Sequence, residues 1–279
     1  MKSVFFAWLR FLRLPNVLTV PADVLAGAVL AGLAFDNILR PLGAVMLAYL
    51  FGMALNDVWD MKSDRLDRPE RPLPSGEIPR VQAVTACVLL GAAALAVHFH
   101  PAMGMLLILI FAYTACKQRL PVLGILLMGL CRGMAVWIGA GAPLSPPVPL
   151  AIGVGLWIVY IAGVTWMATY ETGKPLEREW PWILPMILNL GFLALAYTVP
   201  SPSPWAYLPG LAAFILVNLY ARDIVRAQQV RPSDIGRLLG LLFLMQAYVL
   251  ALHGQVLPAA AVWLLAPLMR LARRHIPAS

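Results

Sequence analysis

A dense charged block, residues 56–72, interrupts an otherwise apolar stretch and carries residue types that bind metal ions. A helix turns by about 100° per residue, so a single arc of about 100° holds five of its side chains. These five are Asn56, Asp57, Asp60, Asp64 and Asp67. The carboxylates repel one another, and near a helix C-terminus they also oppose the helix dipole. A bound Mg²⁺, which accepts oxygen ligands and leaves positions for water and phosphate, would relieve that repulsion. The alternative is a solvated acidic loop beside a membrane.

The composition predicts that this block belongs to an all-α, polytopic transmembrane helix bundle. The chain is 61% hydrophobic and 12% charged, with a mean hydropathy of +0.79, whereas about 25% of residues are charged in soluble domains. Apolar stretches of about 20 residues can cross a bilayer as helices. The predicted spans are 15–35, 40–60, 79–99, 102–118, 121–141, 148–170, 180–199, 205–226, 236–254 and 257–273. We expect one membrane domain over residues 1–279, with 257–273 as an additional C-terminal span.

The N-terminus and the basic residues predict the orientation of the bundle. No cleavable signal is evident, so we expect residues before the first span to form a basic amphipathic helix at the membrane interface. If successive spans alternate sides, all but two of the 21 Lys and Arg residues fall on one side. The exceptions are Arg40 and Arg132. Cytoplasmic loops carry such an excess, so we expect this side, with both termini, to be cytoplasmic, in a bacterial inner membrane. The net charge of +8 then reflects topology and anionic lipid, and gives no reason to expect nucleic acid as a partner.

On this topology, three polar segments emerge on the cytoplasmic side. They are the acidic block, the segment around Tyr113 and Lys117, and the segment from Ala168 to Lys174. If they converge, carboxylates for metal would stand beside cations for an anion, namely Lys117, Lys174, Arg68 and Arg71. A diphosphate bound through Mg²⁺ requires that combination. The apolar bundle behind it could hold a hydrocarbon chain.

Three motifs in the N-terminal half resemble those of the UbiA superfamily of intramembrane prenyltransferases. The first aspartate-rich motif of that family is similar to Asn56-Asp57-x-x-Asp60-x-x-x-Asp64 followed by Arg68-Pro69-x-Arg71-Pro72. Arg13-Leu14-Pro15-Asn16 resembles the family's Arg-Pro-x-Asn, and Tyr113-Thr114-x-x-Lys117 its Tyr-Thr-x-x-Lys-Arg, with Gln118 replacing the Arg.

The resemblance implies transfer of a prenyl group from an isoprenoid diphosphate to a hydrophobic acceptor, for which an aromatic ring or a secondary metabolite is open. It implies Mg²⁺ as cofactor, held by Asn56, Asp60 and Asp64, with catalytic roles for Asp60, Asp64, Tyr113 and Lys117. Metal ligation would extend to Asp57. Substrate contacts would fall to Arg13, Asn16, Arg68, Arg71 and Lys174, with Arg71 and Lys117 steadying the departing diphosphate.

The second half departs from that family pattern. UbiA enzymes carry a second Asp-x-x-x-Asp motif after the sixth span, whereas residues 165–174 here contain no Asp, and only Glu171 could stand in as a metal ligand. The tenth span also exceeds the family's usual nine. With Cys131-Arg132 and the missing motif, the chain looks most like EboC-type proteins of secondary-metabolite clusters. The alternative function is therefore a weakened UbiA fold that binds or moves a lipid-linked metabolite.

Two charges fall deep inside predicted spans, far from the span ends: Asp23 in the first and Arg132 in the fifth. An unpaired charge inside a bilayer costs at least about 2.5 kcal/mol, so we expect the two to pair with each other. At about 1.5 Å per residue, their depths of about 12 and 16 Å are compatible. The pair either fixes the register of two spans or places Arg132 in a cavity that faces substrate.

Overall fold

Helices make up the regular structure of the computed structural model, which describes residues 2–171, 180–200 and 202–275. No strand occurs among these residues. The α-helices are α1 (Lys2–Phe11), α2 (Leu14–Val17), α3 (Val20–Leu30), α4 (Leu39–Asp67), α5 (Arg80–Val97), α6 (Pro101–Cys116), α7 (Pro121–Gly139), α8 (Val148–Ala168), α9 (Ile183–Tyr197), α10 (Leu208–Ala227), α11 (Pro232–Leu252) and α12 (Val256–His275). Short 3-10 turns precede α9 and α10.

The helices confirm the predicted all-α membrane protein. Within the described residues, six are long and apolar enough to cross a bilayer, or seven if the bent run from α1 to α3 is one span. The helices α6, α9 and the apolar part of α12 are shorter, at 10–17 residues. Each predicted span coincides with a helix or a bent helical run, while the number of true crossings, ten in the sequence prediction, stays a prediction.

The long helix α4 explains how a membrane helix can carry the acidic block. Its 29 residues extend about 43 Å at 1.5 Å per residue, which exceeds a hydrocarbon core of about 30 Å. The excess length lets the charged C-terminal turns project beyond the apolar layer. We call this end of the molecule, with the loop 68–79 and the turn 117–120, the charged end of the bundle.

The chain breaks between α1 and α2 at Arg13, which has left-handed backbone angles of φ 46° and ψ 45°. A residue with a Cβ pays about 1–2 kcal/mol for this conformation. The break bends the helical run by 43°, so α1 departs from the line of α3. Ala7 and Phe11 on α1 are fully buried, whereas Phe5 and Phe6 are exposed, as expected for an amphipathic helix that packs on the bundle.

The helices α3 and α7 approach each other so closely that two glycines are required. A Cβ added to Gly27 would lie 1.9 Å from the carbonyl oxygen of Val136, and one added to Gly139 would lie 2.2 Å from that of Val24. Neither clash can be relieved by rotating a side chain, because the opposing atoms are backbone. The relative position of α3 and α7 is therefore fixed by backbone packing at two points.

Candidate active site

A polar cleft of about 720 Å³ opens at the charged end of the bundle. We call it the polar mouth. It is lined by Arg13, Asn56, Asp60, Ser63, Asp64, Asp67, Arg68, Arg71, Tyr113, Lys117 and Gln118. The helix α4 contributes the acidic side chains, the loop after it contributes two arginines, and the end of α6 contributes the aromatic and basic residues. The sequence-predicted convergence of the acidic block with the segment around Tyr113 and Lys117 is thus present.

Asn56 and Asp60 are held by residues of the α6 end. The Thr114 hydroxyl donates to Asn56 Oδ1 at 2.8 Å, and Lys117 Nζ donates to the same oxygen at 3.1 Å. Lys117 Nζ also pairs with Asp60 Oδ2, while Gln118 Nε2 donates to Asp60 Oδ1 at 3.0 Å. The amide oxygen of Asn56 therefore accepts two hydrogen bonds, one of them from the Lys117 ammonium at the mouth, and a cation that it ligates would replace one of these donors.

Asp57 faces away from this group. It stands at the edge of the 100° arc, is 2% exposed, and is absent from the residues that line the mouth. Arg13 donates to its Oδ1 at 2.7 Å, and Arg71 lies 3.8 Å from the same oxygen. The position of Asp57 thus favours holding the α1–α2 break and the loop after α4 over contacting a metal ion.

Asp64 lines the mouth, as Asp60 does, but is also buried against an arginine, as Asp57 is. Its carboxylate accepts a 2.7 Å hydrogen bond from Arg71 Nη1, and both residues are buried. Arg71 therefore connects Asp57 and Asp64, which holds its buried guanidinium in the wall of the mouth.

The other sequence-predicted residues are distributed around this centre. Arg68 is exposed on the rim, and Asn16 lies in α2, one turn beyond Arg13. Glu171 follows α8 and does not line the mouth, although Arg68 is near enough for its charge to affect the pKa of Glu171. Burial raises the pKa of Glu171 above its ordinary value, and Arg68 offsets part of that rise. Lys174 lies outside the described residues.

An apolar cavity of about 90 Å³ continues from the mouth into the bundle. Asn56 and Tyr113 line both spaces. The remaining cavity walls are Val20, Asp23, Val45, Ala48, Tyr49, Gly52, Met53, Leu106, Ile110, Met128, Cys131, Arg132 and Ala135. Drug-sized ligands occupy roughly 300–1,000 Å³, so a long hydrocarbon chain would have to widen this cavity.

The predicted pair of Asp23 and Arg132 forms on the wall of the apolar cavity. Arg132 Nε lies 2.6 Å from Asp23 Oδ2, and Asp23 is fully buried. Asp23 Oδ1 also accepts hydrogen bonds from Trp157 Nε1 at 2.8 Å and from Gln246 Nε2 at 2.6 Å. Sequence reasoning did not select Gln246, although a lone amide within the apolar run of α11 was a usable signal, since polar residues at membrane depth are rare.

The mouth fits Mg²⁺ only if the substrate supplies ligands. Among the described residues, no three His, Cys, Asp or Glu side chains form a cluster that could hold a metal by themselves. Asn56, Asp60 and Asp64 nevertheless face one space, and Mg²⁺ usually takes one or two carboxylates and completes its shell with water and phosphate. The donor chemistry therefore fits an ion that arrives with a diphosphate.

This chain resembles known proteins over most of its length. The model of the UbiA prenyltransferase family matches residues 20–245, from the start of α3 nearly to the end of α11. This chain belongs to the UbiA prenyltransferase family. The match ends before α12, so the C-terminal helix lies outside the matched region.

Curated relatives include digeranylgeranylglyceryl phosphate synthases of archaea. The enzyme of Sulfolobus acidocaldarius is 25% identical over 241 residues, covering 78% of this chain and 84% of its own length. That of Methanococcus maripaludis strain S2 is 40% identical over 76 residues, covering 26% of this chain. The part of this chain that matches the Methanococcus maripaludis relatives spans about a quarter of their length.

Solved structures show the same fold at low sequence identity. A structure described as digeranylgeranylglyceryl phosphate synthase in membranes superposes with a TM-score of 0.65 at 17% identity, covering 92% of this chain and 99% of that one. A UbiA homologue from Archaeoglobus fulgidus, bound to GPP and Mg²⁺, has a TM-score of 0.61 at 17% identity and the same coverage. These similarities establish the UbiA fold of this integral membrane protein.

Proposed function

We propose that this protein is a Mg²⁺-dependent prenyltransferase that moves an isoprenoid group from its diphosphate to a lipid-soluble acceptor within the membrane. The observation that carries this proposal is the junction between the polar mouth and the apolar cavity, where Asn56 and Tyr113 line both spaces. A prenyl diphosphate has the same two-part character. Its charged end suits the mouth, and its hydrocarbon chain suits the cavity behind it.

Family membership and the named relatives support the substrate class. The A. fulgidus homologue binds GPP with Mg²⁺, and several relatives are named for digeranylgeranylglyceryl phosphate. We therefore propose an isoprenoid diphosphate as donor, with geranylgeranyl diphosphate as the first candidate. A lipid phosphate and an aromatic ring are both acceptors to test. We also propose that the charged end faces the cytoplasm, because the basic residues gather there.

The chain's own residues would act on the leaving group. When bound by Asn56, Asp60 and Asp64, Mg²⁺ would neutralise charge on the diphosphate. Lys117 lies beside Asn56 and Asp60, so its ammonium group is placed to donate to a diphosphate oxygen in the same mouth. As the C–O bond breaks, its electron pair leaves with the diphosphate, and Lys117 and Arg71 stabilise that charge.

The cavity would govern the second half of the reaction. Loss of diphosphate leaves an allylic cation, and the apolar walls exclude the water that would otherwise capture it. The acceptor's nucleophilic atom forms the new bond and releases its proton to the departing diphosphate. Tyr113, at the junction, places an aromatic face beside the reacting carbon, where a developing cation is favoured. Its ring lies 5.6 Å from Lys117 Nζ, and this cation–ring contact supports the proposed role.

A binding or transport role is the second candidate, because Asp57, Asp60 and Asp64 are each paired with a basic side chain and the second aspartate motif is missing. The fate of a labelled donor separates the two functions. Protein in nanodiscs is incubated with chain-labelled geranylgeranyl diphosphate and Mg²⁺, with a geranylgeranylglyceryl phosphate lipid, a phenol or no acceptor. Conversion of the label to a prenylated product or free prenol supports the enzyme. Recovery of intact, protein-bound diphosphate in every arm supports the carrier.

A further inference from the structure

The deep wall of the apolar cavity carries a charged group that the reaction at the mouth does not use. Arg132 lies 11 residues after Pro121 in α7, which is about 16 Å along the helix. It lines the cavity together with Met128 and Ala135 from the same helix. An isoprenoid chain contains only hydrocarbon, so it gains nothing from a guanidinium at this depth.

The orientation of Arg132 is fixed by its partners. Its Nε faces Asp23 Oδ2 at 2.6 Å, and its Nη2 donates to the carbonyl oxygen of Thr19 at 3.0 Å. Gln246 Nε2 holds the other side of the same group, because it donates to Thr19 O at 3.1 Å and to Asp23 Oδ1 at 2.6 Å. Within the described part of the chain, Nη1 of Arg132 donates no hydrogen bond.

Structural need alone does not account for this network. The register of α3 against α7 is already fixed where Gly27 and Gly139 bring the two backbones together. Buried ion pairs seldom add net stability over well-packed apolar residues. A cavity wall with a preoriented, unused donor is instead typical of ligand sites, where a few placed polar groups in an apolar pocket fix the ligand's orientation.

The charge balance indicates which ligand group would fit. Asp23 neutralises Arg132, so an added carboxylate or phosphate would bring a net negative charge to membrane depth, which is costly. A neutral oxygen accepts a hydrogen bond from Nη1 without adding charge. We propose that Arg132, oriented by Asp23 and Gln246, forms a subsite for a neutral oxygen of the acceptor lipid, such as a hydroxyl, ether or carbonyl oxygen. This inference rests on the proposed function, since it assigns the acceptor to the cavity.

The test uses four probes that share a farnesyl-type chain and differ at the end group: farnesol, farnesyl methyl ether, farnesene and farnesoic acid. Each competes with tritiated farnesol for protein in nanodiscs, with chelator present and no diphosphate, and empty nanodiscs correct for partition into lipid. A hydrogen bond from a charged donor should give about a tenfold preference. We expect the alcohol and the ether to compete about tenfold better than the hydrocarbon and the ionised acid. Equal competition by farnesene would overturn the proposal without any variant.

Variants locate the preference within the molecule. Arg132→Lys keeps a positive charge beside Asp23 but removes the forked donor, so the preference for alcohol over hydrocarbon should fall below about threefold. The matched control Asp60→Asn changes the mouth and should keep the full preference. If the preference for alcohol over hydrocarbon persisted in Arg132→Lys, or were lost in Asp60→Asn, the proposed subsite would be contradicted. If Arg132→Lys does not fold, the double variant Asp23→Asn/Arg132→Gln, which carries neither charge, serves the same comparison. Because no Mg²⁺ or diphosphate is present, failure here is distinguishable from failure of prenyl transfer.

Discussion

Asp57 and Asp60 lie three residues apart on α4, yet the structure assigns them opposite sensitivities. Asp57 is buried against Arg13 and Arg71, whereas Asp60 faces the polar mouth and Lys117. We expect Asp57→Asn to lower stability with a small effect on diphosphate binding. We expect Asp60→Asn to do the reverse.

The magnitudes follow from what each substitution leaves unpaired. Without the Asp57 charge, Arg71 keeps Asp64. Among the described residues Arg13 then has no carboxylate partner, and keeps a neutral amide oxygen at position 57 and the sulfur of Met53. Removing one partner of a buried pair costs about 3–5 kcal/mol. Because the Arg13 side chain is 18% exposed, we expect the low end, about 3 kcal/mol. That value corresponds to a change of about two powers of ten in the unfolding equilibrium.

Removal of the Asp60 charge should cost less stability. Lys117 would keep its hydrogen bond to Asn56 Oδ1, and an asparagine at position 60 can still accept one from it, so we expect about 1 kcal/mol. The effect on the ligand should be larger. Loss of an outer-shell partner lowers metal affinity about 10- to 100-fold, so loss of a direct ligand should weaken Mg²⁺-dependent diphosphate binding at least about 100-fold.

Both quantities can be measured on the same preparations. Unfolding in mixed detergent micelles with increasing SDS gives relative stability, and equilibrium binding of labelled geranyl diphosphate with and without Mg²⁺ gives affinity. Asp67→Asn is the matched control for removing a carboxylate charge, because Asp67 also lines the mouth but is exposed at the end of α4. Equal destabilisation by Asp57→Asn and Asp60→Asn would refute the separation of roles, as would loss of Mg²⁺-dependent binding in Asp57→Asn at unchanged stability.

Two further predictions concern the rim of the mouth and the packing of the bundle. Since burial raises the pKa of Glu171, its carboxyl should protonate as the pH falls through that raised value, which removes a negative charge near Arg68. Diphosphate binding should then tighten severalfold, and a profile of binding against pH should lose this step in Glu171→Gln. Persistence of the step in that variant would exclude Glu171 as its source. Gly139→Ala should destabilise the bundle by at least about 1–3 kcal/mol, because the new methyl group would clash with the Val24 carbonyl. Gly155→Ala is its control, because a Cβ there would meet no atom within 4 Å. Equal SDS concentrations at the unfolding midpoint in the two variants would show that α3 and α7 are not held as described.

Much of the fold could be predicted from the sequence because membrane helices depend on local signals. Apolar length and charge spacing placed a helix at each expected span. A separate helix before residue 15 was expected, but the left-handed conformation of Arg13 was not predictable, since no local pattern marks it and its partner Asp57 lies 44 residues away. The crossing count is also beyond local signals, because short helices such as α6 depend on their neighbours to be held within a bilayer.

The candidate site was predictable where it follows helical periodicity. Asn56, Asp60 and Asp64 share a face of α4 and meet the α6 end as expected. The burial of Asp57 outside the mouth was not evident, because helical periodicity places it on the edge of the same arc as the other acidic residues. Its side chain pairs with Arg13, and the position of Arg13 could not be read from that periodicity. Gln246 carries a local signal as a lone amide in an apolar helix, but its partner could not be predicted, because Asp23 lies 223 residues away in the chain.

The most direct test of the central claim, that the acidic face of α4 and Lys117 ionise an isoprenoid diphosphate, is pyrophosphate release as a function of Mg²⁺ concentration. Wild-type protein, Asp60→Asn and Asp67→Asn are compared in nanodiscs with geranyl, farnesyl and geranylgeranyl diphosphates. We predict release from the wild type and Asp67→Asn that requires Mg²⁺ and is at least about 100-fold slower in Asp60→Asn. Release that is independent of Mg²⁺, or equal in Asp60→Asn and wild type, would contradict the account.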